Sequence, residues 1–263
     1  MTSQASKETD SAFQSVLGPV VVALFLLLAW HVLVSAFQVP KIVVPLPLDV
    51  AIAVRNEWWV LVSAMFQTSV AAMTGLLCSL VLGVFVACVF AQSGLIRISL
   101  YPYAILLQTV PVIAIAPIVI AAVGRGFAGV VLISLIISLF PVITNTTTGL
   151  LRVDKGLLEL FQLHSASRWQ TLVKLRLPNS VPYIVAGVRI AAGASVVGAI
   201  VGEFFVGSSL SGLGVLIERR NNGFATDRLY AAVFASAILG VIVFVAVSRV
   251  GDWFLKRYTG NSD

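Results

Sequence analysis

Residues 159–178 read Glu-Leu-Phe-Gln-Leu-His-Ser-Ala-Ser-Arg-Trp-Gln-Thr-Leu-Val-Lys-Leu-Arg-Leu-Pro. No other stretch of this length mixes charge with helical apolar spacing in a chain built of apolar runs. Arg152, Lys155, Arg168, Lys174 and Arg176 lie in or beside it, and Pro178 and Pro182 close it. A basic segment between two membrane helices belongs outside the lipid, on the cytoplasmic side. It reads as a handle by which a soluble partner moves the membrane part.

The flanks support the membrane reading. Of 263 residues 59% are hydrophobic and 11% charged, with a mean hydropathy of +1.02. A soluble domain carries roughly 25% charged residues. The apolar runs are continuous and about twenty residues long, as helical spans require; barrel strands would alternate over about ten. The net charge of +6 is spread over loops without a dense patch, so it reports topology and not nucleic-acid binding. Cys78 and Cys88 share one apolar run. They lie about 15 Å apart along a helix, beyond disulfide reach, and read as packing residues.

Taken in order, residues 1–16 are polar and read as a disordered or surface-lying cytoplasmic N-terminus. The membrane domain covers 17–257, with a cytoplasmic loop at 149–181, and 258–263 form a polar tail. Spans are expected at about 17–37, 60–91, 100–123, 127–148, 183–206 and 229–250. His31 reads as a packed residue near the outer end of the first. Pro40, Pro45 and Pro47 exclude a regular helix early in the segment 39–59, and Asp49 caps a short one ending near Trp58 and Trp59. Gln67, Thr68 and Ser69 read as interhelical hydrogen-bond formers. Pro111 and Pro117 interrupt the span 100–123; a kinked packing helix and a helix bent around a pathway both fit. Thr144 and Asn145 either line a conduit or bond their own helix. The span 183–206 is rich in Gly and Ala, marking tight helix contact. Arg189 and Glu203 within it are about 21 Å apart on a straight helix and cannot pair, so Glu203 needs another partner or water.

With the N-terminus inside, the cytoplasmic bases are Lys7, Arg97, Arg152, Lys155, Arg168, Lys174, Arg176, Arg249, Lys256 and Arg257. The external ones are Lys41, Arg55, Arg125, Arg219, Arg220 and Arg228. That bias predicts an all-α integral membrane protein with six transmembrane helices, N-in and C-in. No Gly-x-x-x-x-Gly-Lys-Ser/Thr and no His-Glu-x-x-His occurs, so no catalytic or metal set is expected. A transporter or channel is the simplest class. A secondary carrier using Glu203 as a proton site and an integral membrane enzyme are the rivals.

The opening stretch also identifies a family. Glu159, Ala166–Thr171 and Leu177-Pro178 resemble the EAA loop of binding-protein-dependent ABC importer permeases, whose pattern is Glu-Ala-Ala, three residues, Gly, then nine residues to a hydrophobic-x-Leu-Pro. Leu160 and Phe161 replace the alanines and Ser165 the glycine, with the spacing intact. Leu107–Pro117, Phe140–Leu150 and Pro45–Val50 are similar to further segments of that family, while Ala121-Ala-Val-Gly124 departs from its Trp-Phe-Gly. Within the family the chain resembles the nitrate, sulfonate and taurine branch, which also holds permeases for thiamine-precursor pyrimidines and riboflavin. Gly198-Ala-Ile-Val-Gly-Glu-Phe204 is similar to the form associated with the last two.

The resemblance implies a type I ABC importer permease fold in the bacterial inner membrane and no enzyme activity in this chain. It implies a homodimer, a cytoplasmic ABC ATPase dimer binding ATP and Mg, and an extracytoplasmic substrate-binding protein. Glu159, Leu160, Leu163, Ser165, Ala166, Ser167 and Arg168 are the implied ATPase-coupling residues. The helical spacing of Glu159, Leu160, Leu163, Ala166 and Ser167 predicts one short helix there. Gln108, Thr109, Thr144, Asn145, Ser195 and Glu203 are candidates for a substrate pathway. An unpaired Glu203 disfavours an anion, which places a neutral heterocycle ahead of nitrate or sulfonate.

Overall fold

The structure is a computed structural model that describes residues 2–206 and 211–260. Part of the expected tail, 261–263, and part of the outer loop, 207–210, lie outside the described residues. The chain divides into two compact units, one of residues 1–58 with 220–231, the other of residues 59–219 with 232–263.

In the first unit, α1 (Thr2–Ala36) begins at Thr2. The polar start, expected to be disordered or surface-lying, is therefore drawn into the first helix. After Pro40 and Pro45 comes α2 (Pro47–Asn56), which Pro47, expected to exclude a regular helix, instead opens at the first helical position, and where the Asp49 carboxylate accepts from the Leu46 amide at 3.3 Å. This acid at the third helical position, reaching back to the cap, satisfies a donor that would otherwise lack a partner. Glu57 follows α2. Arg220 and Arg228 both pair with it, Arg228 at 3.1 Å. Burial pushes the Arg220 guanidinium down from its ordinary value, and the Glu57 charge works against that shift.

The second unit holds most of the apolar length. Its elements are α3 (Trp58–Gln92), α4 (Gly94–Thr109), α5 (Val112–Val123), α6 (Phe127–Leu151), α7 (Lys155–Leu163) and α8 (Arg168–Thr171). A π-helical turn, Leu172–Arg176, leads into α9 (Leu177–Val206). Then come α10 (Leu213–Asn222) and α11 (Thr226–Thr259), each of which starts or ends in the other unit. Among the described residues five helices are long and apolar enough to cross a membrane: Leu17–Ala36, Trp58–Gln92, Phe127–Leu151, Arg168–Val206 and Thr226–Tyr258.

The helix expected over 100–123 is two helices. Val110 is extended, at φ −69° and ψ 125°, because the ring of Pro111 excludes the helical conformation from the residue before it. At 1.5 Å per residue α4 and α5 are about 24 and 18 Å long, each short of the ~30 Å hydrocarbon core. By contrast, Pro178 and Pro182 do not stop the chain. Helix runs unbroken from Arg168 to Val206. The π-turn accommodates Pro178, with Leu177 N–H bonding to Leu172 O five residues back. That wider turn re-satisfies backbone where the normal ladder would be interrupted.

α6 and α9 pack closely against each other. A Cβ on Gly198 would lie 2.8 Å from Ser134 Cα, and one on Gly202 3.1 Å from Val130 Cα. Only bare glycine lets the two backbones approach so closely, and dispersion across such a contact is what holds helices together in lipid. The Ser134 hydroxyl then donates to Ser195 O at 2.9 Å. The dense Gly and Ala content expected to mark a contact does mark one.

Candidate functional site

Two regions carry the residues singled out in the sequence. The first is the loop 152–178. Asp154 caps α7, its carboxylate accepting from Leu157 N–H at 3.2 Å. No residue of α7 is buried. Leu157, Leu160 and Leu163, at three-residue spacing, are all exposed, Leu163 by 82%, and Trp169 just beyond is exposed too. Glu159 is also exposed. The helix stops at Leu163, so Ala166 and Ser167 do not continue it as their spacing predicted.

The stop has a defined geometry. Ser165 N–H bonds to Gln162 O and Ala166 N–H to Phe161 O, both at 2.9 Å. These are the paired bonds of a Schellman ending, which needs a left-handed residue just past the helix cap. That residue is Ser165, at φ +52°. It occupies the position of the motif's glycine, so the serine keeps the turn that the glycine would make. Ser167 then caps α8: its hydroxyl accepts from Gln170 N–H at 3.2 Å, and Gln170 Oε1 accepts from Ser167 N–H at 2.8 Å. Arg168 is the first residue of α8 and exposed.

From α8 the chain is clamped to two spans. Leu172 is buried with Ala87 and Ala91 of α3 and Leu150 of α6. Arg176 donates to Ala91 O at 2.6 Å, and Asn179 to Gly149 O at 3.1 Å and Arg152 O at 2.8 Å. These carbonyls end α3 and α6 and have no partner within their own helices. Arg176 and Asn179 were not among the sequence candidates; the positive charge of Arg176 beside a predicted helix end was a signal, and the neutral Asn179 carried none.

The second region is polar groups among the spans. Glu203 is only 2% exposed. Its Oε2 accepts from the Thr68 hydroxyl and from Gly214 N–H, both at 2.9 Å, and Thr68 Oγ1 accepts from Leu213 N–H at 2.9 Å. Glu203 thus sits at the N-terminus of α10, where free amides and the helix dipole favour negative charge. A Cβ on Gly212 would collide with the carboxylate itself. The Gln67 side chain accepts from Ser211 N–H at 3.1 Å. Thr68 bonds between helices, as expected, whereas Gln67 reaches the loop before α10 and Ser69 bonds its own helix through Phe66 O.

The other pathway candidates are scattered. Gln108 and Thr109 are exposed beside the break between α4 and α5, Thr109 donating to Leu106 O. Thr144 and Asn145 are half-buried and donate to Phe140 O and Pro141 O of their own helix. Ser195 is fully buried and donates to Ala192 O. Thr144 also lines a pocket of about 360 Å³ with Arg97, Tyr101, Thr147 and Thr148. Thr147 is 4% exposed and its hydroxyl has no partner. Among the described residues no cluster of His, Cys, Asp or Glu could hold a metal ion.

Similarity to known proteins follows this geometry. Residues 79–260 match the family described as binding-protein-dependent transport system inner membrane component. A Haemophilus influenzae protein named "Probable ABC transporter permease protein" is 30% identical, over 92% of this chain and 96% of its own. The formylaminopyrimidine transport permease ThiX of Halalkalibacterium halodurans is 30% identical, over 69% of this chain and 72% of its own. In fold, the chain superposes with a TM-score of 0.65 and 17% identity on a chain of the inward-facing MetNI methionine ABC transporter, covering 78% of this chain and 99% of that one.

Proposed function

The chain belongs to the inner membrane components of binding-protein-dependent transport systems, a multi-pass inner membrane permease family of ABC importers, and we propose that it works as one half of a homodimer. A cytoplasmic ABC ATPase dimer binds ATP and Mg, and an extracytoplasmic binding protein delivers the solute. N- and C-termini face the cytoplasm, and the broken pair α4–α5 counts as the sixth span.

The observation that carries this reading is the exposed apolar face of α7. Leu157, Leu160 and Leu163 project from a helix with nothing buried. Such a face on a short amphipathic helix is a ready anchor for a groove on a soluble partner. Glu159, Ser165, Ala166, Ser167 and Arg168 border it and share the contact with the ATPase. Closure of the ATPase dimer pushes α7 and α8. The unbroken helix from Arg168 carries the push into α9, and the Leu172, Arg176 and Asn179 contacts share it with α3 and α6. The two orientations must differ in their fit to the nucleotide-bound ATPase, since only a differential interaction shifts an equilibrium.

The pathway runs along the dimer axis past Gln108, Thr109, Thr144 and Asn145, while Ser195 and Glu203, buried and bonded within the chain, support its wall. The pocket of Arg97, Tyr101, Thr144 and Thr147 supports an opening at its inner end. The solute is a pyrimidine thiamine precursor or a related heterocycle. The name of the Halalkalibacterium relative supports that class.

The test is reconstitution with the adjacent ATPase and binding protein. We expect pyrimidine-loaded binding protein to stimulate ATP hydrolysis, and Glu159→Arg to lower uptake at least about tenfold while the protein inserts normally and hydrolysis persists. Normal uptake in Glu159→Arg overturns the coupling role. Stimulation by nitrate, taurine or an alkanesulfonate keeps the mechanism and replaces the substrate.

A further inference from the structure

A groove of about 710 Å³ runs between α3, α9 and α11, within one compact unit. Leu76 and Leu80 line one side, Val181 and Val188 the second, Val243 and Trp253 the third. Its size is that of a ligand pocket, and its walls are apolar throughout. Along α11 the lining spans residues 242–254, about 18 Å of helix. That is roughly the depth of one leaflet of a ~30 Å hydrocarbon core. Gly251 lets α11 close one wall against α9, since a Cβ there would lie 2.7 Å from Val185 Cγ1.

One end of the groove is basic. Arg249 and Arg257 lie four residues before and after the lining Trp253, and Lys256 three after, so all three share its side of the helix. All three are exposed. The Arg257 guanidinium sits over the Trp253 ring, 5.7 Å from its centroid. Trp253 thus joins the apolar wall to the cationic rim, as an interfacial tryptophan does. The acid on this stretch, Asp252, is engaged by Arg189 and leaves the three cations uncompensated by it.

We propose that this groove is a binding site for one anionic phospholipid, an acyl chain lying along α3, α9 and α11 and the phosphate held by Arg257, Lys256 and Arg249. A second copy of the chain suits the site less well. A twofold axis along the membrane normal would put the two basic ends at the same level, where like charges repel. A lipid phosphate neutralises them, and polybasic residues beside a span attract anionic lipid by this means.

Native mass spectrometry of the full chain, with phosphatidylglycerol or phosphatidylcholine of identical acyl chains, tests this. We expect phosphatidylglycerol to be retained about tenfold better. Lys256→Gln with Arg257→Gln, on the exposed rim, brings it down to the phosphatidylcholine level. Ala246→Trp, filling the groove, lowers retention of both lipids. Equal retention of the two lipids, or retention untouched by either change, overturns the site. So does a disulfide between two copies through Ala246→Cys, which would make the occupant a second chain.

Discussion

Glu159 and Glu203 are both glutamates within helices, and the structure treats them oppositely. Glu159 stands exposed on α7, a helix with no buried residue and an open leucine face. Glu203 is buried, its carboxylate accepting from the Thr68 hydroxyl and from the Gly214 amide of α10, with Gly212 packed against it. The contrast separates recognition from construction. A charge left in water beside an unpartnered apolar face is free to serve another molecule, whereas a charge removed from water and bonded within the chain holds that chain together. Substitutions therefore divide: at the buried site stability fails first, and in the loop coupling fails with stability intact.

The largest effect is expected at Glu203. Glu203→Ala leaves the Gly214 amide and the Thr68 hydroxyl buried without their acceptor, and charge-assisted bonds of this kind cost roughly 1.5–3 kcal/mol each when one partner is removed. A loss of about 3 kcal/mol, read as a fall in unfolding temperature in detergent, is the expected outcome. Glu203→Gln keeps an acceptor oxygen and costs about 1 kcal/mol. If Glu203→Ala melts like the parent, the carboxylate is not the strut its contacts describe.

Next is Arg176, which lies between the two regimes. It is half-buried, and its single bond joins the loop to the end of α3. Arg176→Ala is expected to cost about 1.5 kcal/mol, with faster amide exchange over 172–178, and to lower uptake more than it lowers stability. Equal effects on both would make it a structural clamp alone. Ser167→Ala, in the exposed part, removes a helix cap worth about 1 kcal/mol. The loss should appear as protease sensitivity confined to the loop, with the global unfolding temperature unchanged.

The contrast also explains what could be read in advance. The apolar runs fixed the spans because lipid demands about twenty apolar residues wherever a helix crosses. The small residues of 187–202 announced a close helix contact, though not that its partner is α6, because close packing in lipid has few other solutions. The loop motif was legible because Glu159, Ser165 and Ser167 make only local bonds, so packing does not dictate them. Three features were not legible. The break at Val110 and the passage through Pro178 both follow from proline, and which of the two occurs is decided by whether a wider turn is held in place, here by the burial of Leu172. Glu203 needed a partner, but Thr68 is 135 residues away, and no local pattern links them. The leucine spacing continued through Ala166, and the helix ended three residues earlier because the left-handed Ser165 closes it.

The smallest effect is the most discriminating, because it has the opposite sign. Ser165 holds a left-handed conformation, at φ +52°, that costs a residue with a side chain roughly 1–2 kcal/mol relative to glycine. Glycine would recover that, but it also gains freedom in the unfolded chain, worth about 0.4–1 kcal/mol against it. The difference favours Ser165→Gly by roughly 0.5–1 kcal/mol. Because Ser165 is exposed and its own bonds come from backbone, no side-chain contact is lost in exchange. We expect Ser165→Gly to slow amide exchange at Ser165 and Ala166 and to keep uptake, while Ser165→Val, branched at Cβ where the turn tolerates it least, speeds exchange and weakens coupling. If glycine loosened the loop, the turn would be held by something other than its backbone angles, and the exposed region would share the bonded character of the Glu203 site.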